Sequence, residues 1–393
     1  MKKPVIKKYL LILGFFLVFS FKTAVAAGED PGSENAGNIK NQTAEELLEE
    51  IDFTKIQNMM DDMLGQNSFS LTDAIKRLMS GEEILSGETV REYLRGLFFN
   101  RLEQEKSFFL KILLCVFMAA VFSNFAGLFE NGQIGDMSFY MVYLLLFMLL
   151  MNAFSALTAS LTRLILWLAS FMKLLSPAFF LALAASVGIT TASVFQEGLL
   201  LLVWLLQWIL GSVLVPAASL YVLFRMVNHL SKEEMLGKMA DLMENLICWG
   251  TRTIMGTVLG LQVVRSLVAP VMDSLKRGVL GKTAGSIPGI GNAVNAVTEL
   301  VITSAVLVRN SLGVAFVVVF VLVGLEPVIR YGIFCLGMRL LAAMAEPVSD
   351  KRIVGCLSAM GEGCAVLLRI FLTAEVLCIL VFLIIMVNFG GSR

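Results

Sequence analysis

From Phe108 onward the chain is dominated by apolar runs too long for an ordinary core. Phe108–Phe129, Ser138–Ser160, Leu164–Thr190, Gly198–Val227 and Gly363–Val387 each exceed or approach the twenty or so apolar residues that cross a bilayer as a helix. Inside hydrocarbon every backbone N–H and C=O must be satisfied within the protein, which leaves helices or a closed barrel. No run alternates with a period of two, so the expectation is all-α. Composition agrees: 57% of the residues are hydrophobic and only 16% charged, with a mean hydropathy of +0.80, whereas soluble domains are about a quarter charged. Weaker runs follow at 253–272 (only moderately apolar), 293–308 (a short span or half-helix), 311–325 and 329–345, and the expected total is seven or eight transmembrane helices.

Charge divides the chain. The first 26 residues carry five lysines, residues 27–107 carry 17 Asp/Glu against 8 Lys/Arg, and residues 108–393 carry 18 basic against 14 acidic residues. Residues 1–26 have the parts of a signal peptide: Lys2, Lys3, Lys7 and Lys8, an apolar core from Tyr9 to Phe21, and small residues Ala24 and Ala26 at the cleavage positions. An uncleaved anchor is the other reading, because Lys22 interrupts the approach to that site. Residues 27–107 then form a small acidic helical module outside the cytoplasm. Thr43-Ala44-Glu45-Glu46 is a capping box. Ile56, Met59, Met60, Met63 and Leu64 trace a helical stripe up to Gly65, and Ser70–Met79 makes a second helix. Such stripes pack on each other or dock on a partner.

The membrane part divides into a first bundle at 108–227, an amphipathic interfacial helix at 228–250, and a second bundle at 251–393. The interfacial helix opens on a capping box, Ser231-Lys232-Glu233-Glu234. The second bundle holds a Gly-rich stretch, 277–298, with Gly278, Gly281, Gly285, Pro288, Gly289 and Gly291. No uninterrupted helix is expected to cross it. It is either a loop or a re-entrant, closely packed element.

Two enzymatic readings of this stretch fail. Gly281-Lys282-Thr283 resembles the tail of a phosphate-binding loop, but Lys276 stands where that motif requires glycine. Gly289-Ile290-Gly291-Asn292 places an amide where an intramembrane aspartyl protease has its acid. The six cysteines, Cys115, Cys248, Cys335, Cys356, Cys364 and Cys378, form no CxxC pair, and His229 is the single histidine, so neither a metal site nor a cofactor is expected. No basic patch exists for nucleic acid.

Charged residues in or beside the apolar runs are Lys173, Arg265, Glu299, Arg309, Glu326, Arg330, Arg339, Glu346, Arg369 and Glu375. They snorkel from span ends, or they line a polar path or a subunit contact. Glu326 and Arg330, spaced i, i+4, are expected to neutralise one another on one helix face. Glu299 and Glu375 are the acids placed for a proton or ion path. Glu-Pro-Val occurs at both 326–328 and 346–348, which chance explains better than an internal repeat.

The run Ser286–Leu300, SIPGIGNAVNAVTEL, resembles the stage III sporulation protein AE family of endospore-forming bacteria, and the resemblance extends from Lys2 to the last span. It implies a non-enzymatic, multi-pass subunit in the mother-cell membrane around the forespore. There it would belong to a channel or secretion-like conduit required for late forespore gene expression. Implied partners are the lipid bilayer, the other stage III A proteins, a forespore-side conduit partner and a YidC/Oxa1-type insertase. From residues alone, a self-sufficient ion-coupled transporter remains the alternative.

Overall fold

A computed structural model describes residues 44–46, 48, 53–64, 70–80, 82, 87–126, 132–187, 189–230, 236–284 and 291–390. Regular structure among them is entirely helical. Two short helices, α1 (Thr54–Leu64) and α2 (Leu71–Met79), precede α3 (Gly87–Ala126), α4 (Gly132–Val187), α5 (Ile189–Leu205) and a π-helical segment (Leu206–Leu214). Then come α6 (Val215–Leu230), α7 (Gly237–Ala284), α8 (Gly291–Ala345) and α9 (Lys351–Gly390). The residues at the expected signal cleavage, Ala24 and Ala26, lie outside the described residues.

Local chemistry explains several boundaries. Ser70 caps α2, its Oγ accepting from the Asp73 N–H at 3.3 Å, and the apolar face Leu71, Ala74, Ile75 and Met79 is buried. Gln57 accepts the Leu71 N–H at 2.9 Å and so joins α1 to α2. α8 stops at Ala345, just before Glu346-Pro347. The residue preceding proline avoids helical backbone, and the ring itself cannot extend the ladder. Asp350 restarts the chain as the cap of α9, accepting the Arg352 N–H at 2.9 Å. The other Glu-Pro-Val behaves differently, since Pro327 lies inside α8. Pro216 is accommodated by the wide π turns before it, in which the Val215 N–H reaches back to the Leu210 carbonyl.

Four helical stretches among the described residues are long and apolar enough to cross a membrane: Tyr140–Ser186, Phe195–Leu230, Leu300–Ala345 and Lys351–Leu380. The seven or eight spans expected are not confirmed by these four, and among the described residues several neighbouring runs merge into single helices. The runs 138–160 and 164–190 share α4 to residue 187, and 293–308, 311–325 and 329–345 all lie in α8. Polar residues between runs do not end these helices. In α4, Thr158 and Thr162 donate to the Phe154 and Thr158 carbonyls at 3.1 and 3.0 Å and are satisfied within the helix. Of the interfacial helix expected at 228–250, residues 228–230 end α6, 231–235 with the expected capping box lie outside the described residues, and the part from Gly237 on continues unbroken through the span expected at 253–272 as α7. At 1.5 Å per residue the apolar part of α4 is about 70 Å long, more than twice the hydrocarbon thickness.

α9 is the central element. Within its most apolar window 94% of the residues are buried inside the protein, against 33% for α4. It packs on α8, α6, α4 and α7, so protein rather than lipid surrounds it. Phe382 of α9 meets Phe179 of α4 at 5.7 Å and Phe316 and Phe320 of α8 at 5.5 and 5.7 Å. Edge and offset contacts of this kind add about 0.5–1.5 kcal/mol each beyond area burial. Glycines permit the closest approaches: a Cβ at Gly363 of α9 would collide with Val222 of α6 and lie 2.9 Å from the Phe154 ring of α4. Outside the core, Leu114, Phe117, Met141, Met148, Trp204 and Trp208 are exposed, as lipid-facing or partner-facing residues would be.

Candidate functional site

α3 and α8 run side by side in parallel, and both carry charges four residues apart. The order is cation then acid on α3 (Arg101, Glu105), acid then cation on α8 (Glu326, Arg330). The two rows therefore match in register. Arg101 pairs with Glu326, and Arg330 lies 3.5 Å from Glu105. The intrahelical Glu326–Arg330 pair expected from spacing is replaced by two bridges across the helix interface. These two bridges between elements tie α3 to α8.

Arg330 also donates to Ser160 Oγ of α4 at 3.2 Å, and the Tyr331 hydroxyl donates to the Leu157 carbonyl at 3.1 Å. Burial and the Arg330 guanidinium hold Arg101 below the usual arginine range, against the opposing pull of Glu105. A cavity of about 490 Å³ opens beside this belt, lined by Asp62, Arg101, Ser160, Arg163, Trp167 and Glu326 among others. α1 and α2 seat on α8, and α1 also on α4. The acidic segment thus covers its own bundle near the belt.

A second polar layer joins α6, α7 and α9. Arg225 donates to Asp241 at 3.1 Å and lies 4.0 Å from Glu244, and the Tyr221 hydroxyl donates to Glu362 at 2.9 Å. Arg369 of α9 contacts Cys248 Sγ of α7 at 2.6 Å. Gly355 leaves room for the His229 ring, which a Cβ would meet at 2.6 Å.

Glu375 differs from all of these. It is 1% exposed, and its Oε2 has no hydrogen-bond partner. Its carboxylate occupies the space that a Cβ on Gly324 of α8 would fill. Arg309 is equally buried but donates to Ser186 Oγ at 3.3 Å and Asn310 Oδ1 at 3.1 Å.

The remaining residues singled out from sequence do not converge here. Glu299 lies in α8, and its side chain is outside the described residues. Gly278 and Gly281 are helical within α7, so that helix runs further into the Gly-rich stretch than expected. Gly285, Pro288 and Gly289 lie outside the described residues, and Gly291 opens α8. Sequence reasoning missed Arg101 and Glu105, although their mirrored spacing to Glu326 and Arg330 was readable. It also missed Gly324, for which nothing in the sequence stood out. Among the described residues no group of three or more His, Cys, Asp or Glu is placed to hold a metal.

A family model described as Stage III sporulation protein AE matches residues 69–389. The stage III sporulation protein AE of Bacillus subtilis (strain 168) is 21% identical over 384 residues, covering 96% of this chain and 95% of that protein. No solved structure matches.

Proposed function

The chain belongs to the stage III sporulation protein AE family, and from that premise we propose that it is a non-enzymatic integral membrane subunit of a sporulation-specific channel or secretion-like complex. The complex would sit between mother cell and forespore, with this chain in the mother-cell membrane that surrounds the forespore, and would support late gene expression in the forespore. One observation carries the reading as a subunit rather than a catalyst. The bundle is closed around an apolar central helix, while apolar side chains such as Leu114, Met141, Met148 and Trp204 remain on its outside. That distribution suits a body that meets lipid and other membrane proteins.

The acidic segment 27–107 would lie outside the cytoplasm, between the two membranes, after removal of the signal at Ala24–Ala26. Its partners would be the other stage III A proteins and a forespore-side component of the conduit, with a YidC/Oxa1-type insertase placing the chain in the bilayer. The merged helices favour fewer crossings than the seven or eight spans expected from sequence. The test has two arms in the native sporulating host: a deletion read with a late forespore reporter, and a full-length chain with single cysteines introduced into 27–107 read by accessibility. The expected outcome is arrest at stage III with the reporter silent in the deletion, and labelling of single cysteines introduced into 27–107 by an impermeant maleimide from outside. Normal reporter activity without the chain, or protection of that segment, would contradict the proposal.

A further inference from the structure

A carboxyl group at the heart of an apolar bundle requires compensation. In low-dielectric surroundings an ionised carboxylate is unfavourable unless a cation or several donors meet it. Glu375 is 1% exposed on the helix that the rest of the bundle encloses, and its Oε2 is unpartnered. The elements packed on α9 present no cation to it among the described residues. α8 offers Gly324 at the carboxylate itself. Glu326, two residues on, lies on the opposite side of α8 and is bridged to Arg101 of α3.

The π-helical segment Leu206–Leu214 contains no ionisable residue. Arg225 and Tyr221 of α6 are engaged with Asp241 and Glu362 in the other polar layer. Lys173 of α4 and Arg252 of α7 are at exposed positions. On α9 itself, Arg369 is turned to Cys248 of α7. Cys378, one turn beyond Glu375, is a buried thiol, which adds no positive charge.

We propose that Glu375 and the notch at Gly324 form a binding site for a small monovalent cation, a proton or Na⁺, which supplies the positive charge that the chain withholds. Gly324 makes the site possible. Any side chain there would take the volume of the carboxyl group and drive α8 from α9. The site sits on the helix joined to α8, α6, α4 and α7, so occupancy would be felt by every helix that packs on α9. It stands apart from the belt and is independent of the proposed role in a conduit.

The experiment uses the purified full chain in nanodiscs and measures its thermal midpoint. One arm varies Na⁺ against choline at fixed pH, and the other varies pH without Na⁺. A cation that binds only the folded form raises the midpoint as its concentration rises. A rise on acidification alone identifies the proton, and a rise with Na⁺ at fixed pH identifies sodium. Glu375→Gln, close in shape but without the negative charge that holds either cation, is expected to abolish the dependence. Should that variant not accumulate, N,N′-dicyclohexylcarbodiimide is applied to the wild-type chain. It adds across a protonated buried carboxyl and rearranges to a stable N-acylurea. Mass spectrometry is then expected to find the adduct at Glu375, increased by acid or suppressed by Na⁺. A midpoint indifferent to both cations, a dependence that survives in Glu375→Gln, or labelling at Glu375 that neither acid nor Na⁺ changes would overturn the proposal.

Discussion

Removing Glu326 should be felt through Arg101 on α3 and not through Arg330 on its own helix. The Arg101–Glu326 side chains are 25% and 29% exposed. This places the pair between surface bridges, worth about 0–1 kcal/mol, and buried ones, whose disruption costs about 3–5 kcal/mol. A coupling energy of about 1 kcal/mol is therefore expected, after discounting for solvent screening. In a chain of this size that corresponds to roughly 2 °C in a melting midpoint. The assay is a double-mutant cycle on the detergent-solubilised full chain with Arg101→Ala, Glu326→Ala and the double variant. Here the double variant should be less destabilised than the two singles added. The parallel cycle with Arg330→Ala, which sits in the same charged belt, should show a clearly smaller coupling. Arg101→Glu combined with Glu326→Arg should recover most of the loss. Coupling of Glu326 to Arg330, with none to Arg101, would refute the cross-helix register.

Other outcomes follow from the packing. Gly363→Leu, pressed against Val222 and Phe154, should destabilise the bundle by about 1–3 kcal/mol, seen as a lower midpoint or loss of the protein from membranes. Gly256→Ala, with nothing within 4 Å, should be neutral or stabilise by up to about 1 kcal/mol. Among the six cysteines, Cys248 is half-buried and the other five are buried. Maleimide applied to the folded protein should therefore modify Cys248 first, as read by intact-mass spectrometry, and Cys248→Ser should remove that fast phase.

Legibility from sequence followed the range of the interaction. α2 was readable because its cap, Ser70, and its buried stripe are local, and the stop of α8 before Pro347 was readable for the same reason. The two Glu-Pro-Val copies show the limit: identical triplets end a helix at 346 and continue one at 326. What differs is the surroundings, since α3 and α4 pack along α8 near Pro327. Runs separated by Ser160–Arg163 read as two spans because charge and hydroxyls resemble a span end. Side-chain hydroxyls bonded back to their own helix remove that reason for a break.

The charged belt was half visible. Glu326 and Arg330 stood out as charges in an apolar run, but their partners are more than two hundred residues earlier. Glu375 stood out as an acid in an apolar run. That it faces Gly324 depends on how α8 and α9 pack, which no local pattern encodes.

The central proposal is that this chain is a membrane subunit of a larger sporulation assembly. The direct measurement is isolation of an affinity-tagged full chain from sporulating cells of its host under mild detergent, with a mass-spectrometric inventory of what accompanies it. The account predicts other stage III A proteins in the preparation, lost together when Gly363→Leu disturbs the bundle. Recovery of the chain alone from the membrane fraction of cells that complete sporulation normally would contradict it.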